Sequence, residues 1–177
     1  MVLAVKSQEL SVRIDTKKGI LESDWHYLTQ WKERVFPEEG RSKEWTPVSW
    51  HSIAYSEAND PIGHIGFDRF EVLIDAVPHL VIGIGGVVVR PEYQGQGIPA
   101  LLFNEVHDQA RKHLGAGVFT LFCPSRLVTY YEKHGYQRYP GAVYLLQQGE
   151  KVLSTFEFMH HGDLAAVGKV VLQSEPW

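Results

Sequence analysis

The chain has 177 residues, a formal net charge of −4 at pH 7, and 44% hydrophobic and 21% charged residues. That length can bury a core without covalent staples, and its one cysteine, Cys123, excludes an intramolecular disulfide framework. The slightly acidic balance speaks against nucleic acid as a partner, because sequence-independent binding needs a basic footprint, and it suits a cationic small substrate. The first ten residues, Met-Val-Leu-Ala-Val-Lys-Ser-Gln-Glu-Leu, lack the apolar core of a signal peptide, and no apolar run approaches a membrane span. A cytoplasmic protein with no membrane partner is expected.

Residues 10–14 alternate weakly and are expected to form a first strand. Over 21–36 the side chains of Leu21, Trp25, Leu28, Trp31 and Val35 recur at helical spacing, and Pro37 ends that predicted helix. Residues 38–47 are polar and irregular, a loop. Residues 49–56 and 62–74 read as two strands joined around Asn59-Asp60-Pro61, and a turn at Ala76-Val77-Pro78 leads into a strand over 80–89. Being apolar at every non-glycine position, that strand is expected to be buried on both faces. Its glycines, Gly83, Gly85 and Gly86, mark either a bulge or close ligand approach, or simply room for packed helices. A helix over 99–114 carries Leu102, Val106, Ala110 and Leu114 on one stripe, and a short strand follows over 118–122. Ser125 is placed to cap a helix running to Lys133, with Gly135 as its left-handed terminating residue. Strands over 142–147 and 152–159 flank the Gly149-Glu150 turn. This order implies an α/β (α+β) fold, a mixed sheet with helices on both faces, in one domain over 1–177.

The segment Val87-Val88-Val89-Arg90-Pro91-Glu92-Tyr93-Gln94-Gly95-Gln96-Gly97-Ile98-Pro99-Ala100 carries the functional signal. An apolar strand enters a glycine turn and then a helix, so main-chain N–H groups can approach an anion at a helix N-terminus. A dinucleotide fold would place a carboxylate at the end of the next strand, but that strand ends at Phe122-Cys123. The Gly-Lys-Ser/Thr of a P-loop is absent. The segment instead resembles the acetyl-CoA loop of the Gcn5-related N-acetyltransferase (GNAT) superfamily. Gln94-Gly95-Gln96-Gly97-Ile98-Pro99 matches the family's Gln/Arg-x-x-Gly-x-Gly/Ala at all but the last position. Further on, Tyr130-Tyr131-Glu132-Lys133-His134-Gly135-Tyr136 is similar to the family's Tyr-Glu-Lys-x-Gly-Phe/Tyr.

The resemblance implies a GNAT-like, mostly antiparallel central sheet and acetyl-CoA as cosubstrate. It implies that the backbone of Val87, Val88 and Val89 pairs with the pantetheine arm like an added strand. The amides of Gly95, Gly97, Ile98 and Ala100 would take the pyrophosphate, with the Gln94 and Gln96 side chains as adjuncts. Pro99 removes one donor but suits the first turn of a helix, and each such contact is worth roughly 0.3–1 kcal/mol, so binding weakens modestly. Ser125 is counted with the cofactor-contacting positions. Tyr131 is the implied acid for the leaving thiolate, since a phenol of pKa ~10 is protonated at neutral pH. By spacing alone, Tyr130 and Tyr131 read more readily as packing residues, and it is the upstream glycine turn that reverses that reading.

The attacking amine must be neutral, and an alkylamine of pKa ~10 is only about 0.1% neutral at pH 7. The 80–89 strand offers no ionisable side chain, which leaves His51, His64, Asp68, Glu71, His79, a water relay or the terminal carboxylate of Trp177. No spacing among the 9 histidines suggests a metal site, so no metal is expected. Cys123 reads as a small buried group, and Trp45 and Trp50 as core or loop anchors which, flanking an acidic loop, could also hold an amine by charge and cation–π contact. The expected activity is transfer of an acetyl group from acetyl-CoA to a primary amine of a small molecule, with a homodimer allowed for. A non-catalytic acyl-CoA-binding or sensing module, an aminoglycoside-type enzyme and a protein N-acetyltransferase are the alternatives.

Overall fold

The computed structural model describes residues 11–31, 35–164 and 167–177. The chain runs through β1 (Arg13–Lys18), α1 (Glu22–Thr29), β2 (Trp50–Tyr55), β3 (Pro61–Ile74), β4 (Val77–Val89), α2 (Ile98–Leu114), β5 (Phe119–Cys123), α3 (Val128–Glu132), β6 (Gln137–Arg138), β7 (Val143–Gln147), β8 (Glu150–Leu153), β9 (Glu157–His161) and β10 (Val170–Leu172). The strands join in one sheet, ordered β6-β9-β5-β4-β3-β10-β7-β8, with β2 on β3 and β1 on β2. Among the described residues, only β4 with β5 and β10 with β7 pair in parallel. The sheet is therefore mixed and mostly antiparallel, as expected.

β3 and β4 form the centre, a long hairpin turning at Asp75 and Ala76, both with positive φ. Alternation along β3 divides the molecule. Ile65 and Phe67 join Ile98, Leu102, Phe103 and Val106 of α2 in the main core. His64 faces the other way and meets Trp25 of α1, their ring centroids 5.2 Å apart. Helices thus cover both faces. A second apolar cluster, with Val72, Val81, Phe122, Phe158 and Trp177, underlies the far end of the sheet.

Several elements differ from expectation. The first strand is β1, and residue 10 lies outside the described residues. α1 ends at Thr29, whose hydroxyl donates to the Trp25 carbonyl at 2.7 Å, a back-bond that competes with the helical ladder. Positions 32–34 of the expected helix lie outside the described residues. β4 is buried on both faces only in part, because Val77 and Leu80 at its start are exposed. The expected strand over 152–159 is two strands. β8 pairs with β7, whereas β9 pairs with β5 and β6. The break falls where the Ser154 hydroxyl bonds the Phe156 main chain, a local turn with neither Gly nor Pro to announce it. β6 and β10 were not expected. Among the described residues, no helix is long and apolar enough to cross a membrane.

Candidate active site

β4 and β5 run side by side through Ile82↔Phe119, Gly83↔Thr120 and Ile84↔Leu121, and there the pairing stops. β4 continues to Val89 with β3 as its one ladder partner, while β5 ends at Cys123. Among the described residues, the edge of Val87, Val88 and Val89 is therefore left without a strand beside it. At the point of divergence β4 bulges, for the β3 register passes from Gly66↔Gly85 to His64↔Val88. Gly86 and Val87 thus stand opposite the single residue Ile65. Gly86 takes φ +60°, a conformation other L-residues adopt only with strain.

At the end of β4 a 3-10 turn, Pro91–Tyr93, leads into the glycine turn. Gly97, at φ +80°, is the N-cap of α2, Ile98 is fully buried, and Pro99 sits in the first turn. Gln94, Gly95, Gln96, Gly97 and Ala100 are exposed, and the first turn of α2 holds no acidic residue. Positive dipole ends and free N–H groups therefore face solvent with no competing carboxylate in that turn. The two glutamines brace this cradle: Gln94 Nε2 donates to the Val89 carbonyl and Gln96 Nε2 to the Glu92 carbonyl, each at 3.0 Å. Arg90, almost fully buried, ties the turn to α1. Its Nη1 donates to the Tyr27 carbonyl at 2.7 Å, its Nη2 to Glu92 at 2.8 Å, and its guanidinium stacks on the Tyr27 ring.

Tyr131 lies on α3, the helix that follows β5 in the chain. It is buried, edge-on to Phe103 of α2. Burial, aided by Tyr130 and Cys123, pushes its phenol above the usual tyrosine range. Gly135, at φ +84°, closes α3 as expected: Tyr136 N–H donates to the Tyr131 carbonyl and Gly135 N–H to that of Glu132. Ser125 does not cap this helix. Its hydroxyl donates to Glu157 at 2.8 Å, and the cap position falls to Leu127. Cys123 is buried against Met159, and burial pushes its thiol up to about 12, so it is inert packing.

The three β4 glycines serve two purposes. A Cβ on Gly83 would lie 2.5 Å from the Trp177 indole, and one on Gly85 would lie 2.9 Å from the Trp177 carbonyl carbon. That indole stacks on Phe70, meets Phe122 edge-on and donates to the Thr120 carbonyl at 3.3 Å. Gly86, by contrast, makes room for His64. Trp45 is an anchor for its loop, its ring against Phe156 and its Nε1 donating to the Gly40 carbonyl.

Of the expected proton acceptors, Asp68 takes hydrogen bonds from the Ser49 N–H and hydroxyl, and Glu71 lies on the exposed surface. His51 and His64 are joined. His64 Nδ1 is 2.6 Å from the Gly86 carbonyl, and its Nε2 is 2.9 Å from His51 Nδ1. A carbonyl only accepts, so Nδ1 of His64 carries the proton; burial holds its pKa down to about 4, so Nε2 bears a lone pair that faces His51 Nδ1. Sequence reasoning named both residues without linking either to the bulge. The one available clue was a glycine triplet with no polar side chain of its own. Among the described residues, no cluster could hold a metal ion.

A mixed sheet that parts beside a bulge, with a glycine turn capping the following helix, defines an acyl-CoA N-acyltransferase fold. The family model for the acetyltransferase (GNAT) family matches residues 18–136. The chain belongs to that family. Among solved structures it is similar to the Escherichia coli GNAT family N-acetyltransferase YhbS in complex with CoA, with 17% identity, TM-score 0.63, and 93% of this chain and 91% of that one covered. It is also similar to a Brucella melitensis GNAT family acetyltransferase in complex with acetyl-CoA (20% identity, TM-score 0.54, 89% and 94% covered). A third likeness is to an acyl-CoA N-acyltransferase from Pseudomonas aeruginosa (16% identity, TM-score 0.58, 86% and 100% covered). No curated protein sequence matches the chain.

Proposed function

We propose that the protein is an acetyl-CoA-dependent N-acetyltransferase acting on the primary amine of a small molecule. The observation that carries this is the parting of β4 from β5 after Ile84 and Leu121, directly before the exposed glycine turn. The edge of Val87–89 can hydrogen-bond a pantetheine arm, and the amides of Gly95, Gly97, Ile98 and Ala100 can take the pyrophosphate. Gln94 and Gln96 act by bracing that turn, and Pro99 fixes the start of α2 without contributing a donor. Ser125, engaged with Glu157, borders the β5 arm. The amine nitrogen attacks the thioester carbonyl, the C–S bond breaks, and the products are an amide and a thiol. The amine gives up one proton and the thiolate gains one. Tyr131 donates a hydrogen bond to the departing sulfur.

Two measurements test this. Isothermal calorimetry is expected to show coenzyme A binding, and a thiol-release assay with acetyl-CoA and a panel of small amines is expected to show turnover. Binding without turnover for any amine would favour the sensing module. Absence of binding would remove the proposal.

A further inference from the structure

The Gly86–Val87 peptide lies in the bulge, where the β3 register skips it and the β4–β5 pairing has already ended. A main-chain group so placed needs its partners one by one. The carbonyl has one, His64 Nδ1 at 2.6 Å. Among the described residues no peptide bond is cis, and in a planar trans peptide the carbonyl and the following N–H point in opposite directions. The N–H of Val87 is therefore turned away from the imidazole.

His64 is in turn fully fixed. Trp25 lies edge-on to its ring, Gly66 and Gly86 leave no side chain beneath it, and its Nε2 lone pair faces His51 Nδ1 at 2.9 Å. That engagement rules His64 out as the base for the amine. We propose that His64 is a positioning residue for acyl transfer: by holding the Gly86 carbonyl it aims the Val87 N–H at the thioester carbonyl of a coenzyme bound in the opening, and His51 holds it in the tautomer that does so. This rests on the coenzyme site proposed above. As the amine attacks, negative charge gathers on that carbonyl oxygen, and removing one preorganised donor from such a site typically costs about 10²–10³ in kcat.

The test compares wild type with His64→Ala and His64→Asn. An asparagine amide can place an N–H near the position of Nδ1, whereas alanine has no donor. His64→Ala is expected to lower kcat about 10²-fold, with His64→Asn recovering at least about tenfold of it and coenzyme A affinity changing less than about threefold in either. Equal losses in both variants, or none in His64→Ala, would overturn the positioning role while leaving the coenzyme site intact. No coenzyme A binding by wild type would overturn both. NMR on wild type gives a readout that needs no variant. His64 is expected to show a protonated Nδ1 and a bare Nε2, and the Val87 amide proton to move downfield with acetyl-CoA but not with coenzyme A. A protonated Nε2, or a Val87 amide indifferent to the acetyl group, would refute the proposal.

Discussion

Burial raises the Tyr131 phenol above its ordinary value, whereas a thiol titrates near ~8.5, so a departing thiolate cannot strip the phenol of its proton outright. In the proposed reaction the side chain would therefore act as a hydrogen-bond donor that stays protonated, with net proton exchange passing from amine to thiol around it. Tyr131→Phe is expected to lower kcat about 10²-fold with coenzyme A affinity unchanged within about threefold, measured by thiol release and calorimetry. The wild-type pH–rate profile is expected to show no limb from this group below about pH 10. Tyr131 was legible because its neighbours Glu132, Lys133 and Gly135 form a short pattern. His64 was not, because its partners come from β2 and β4 and are set by register rather than by spacing. The glutamines are ambiguous for another reason: an amide side chain can brace a loop as readily as it can contact a ligand, and both look alike in a string of residues.

Existence and type were readable for the long elements, because residues 80–89 of β4 form an all-apolar run and α2 carries a helical stripe over many residues. The short ones were lost: β6 has two residues, β10 has three, and the turn dividing β8 from β9 hides in Ser154-Thr155-Phe156. The glycines of β4 show the same limit, since the strand betrays that something approaches but not what. At Gly83 it is the Trp177 indole. A methyl group there would sit 2.5 Å from three indole atoms, with Phe70 and Phe122 closing the other sides. Gly83→Ala is expected to destabilise the fold by roughly 1–3 kcal/mol through overpacking, read as a lower urea midpoint with a changed tryptophan emission.

For the whole molecule, buried neutral histidines set the response to acid. Burial lowers the pKa of His64 to about 4, and burial with His161 and Arg111 lowers that of His107 to about 3, against 6.5 without the fold. Below pH 6.5 the unfolded chain binds protons that the folded chain refuses, so the stability present above that pH declines as pH falls toward 4 and then 3. His64 alone accounts for about 3 kcal/mol of that loss. Urea midpoints are expected to hold steady from pH 8 to about 7 and to drop steadily by about pH 5; a midpoint unchanged at the lower pH would contradict the neutral pair. Strand order belonged to this scale and was the least legible feature, because β5 and β10 find their neighbours across long stretches of chain.

The Arg90 guanidinium rivets the last turn of α1 to the approach of the glycine turn. Whatever quiets one end is thereby felt at the other, although the two are far apart in the chain. Deuterium uptake by the α1 amides is expected to slow when coenzyme A is added, and Arg90→Ala to uncouple the two. That helix would then register an occupied thioester site from a distance.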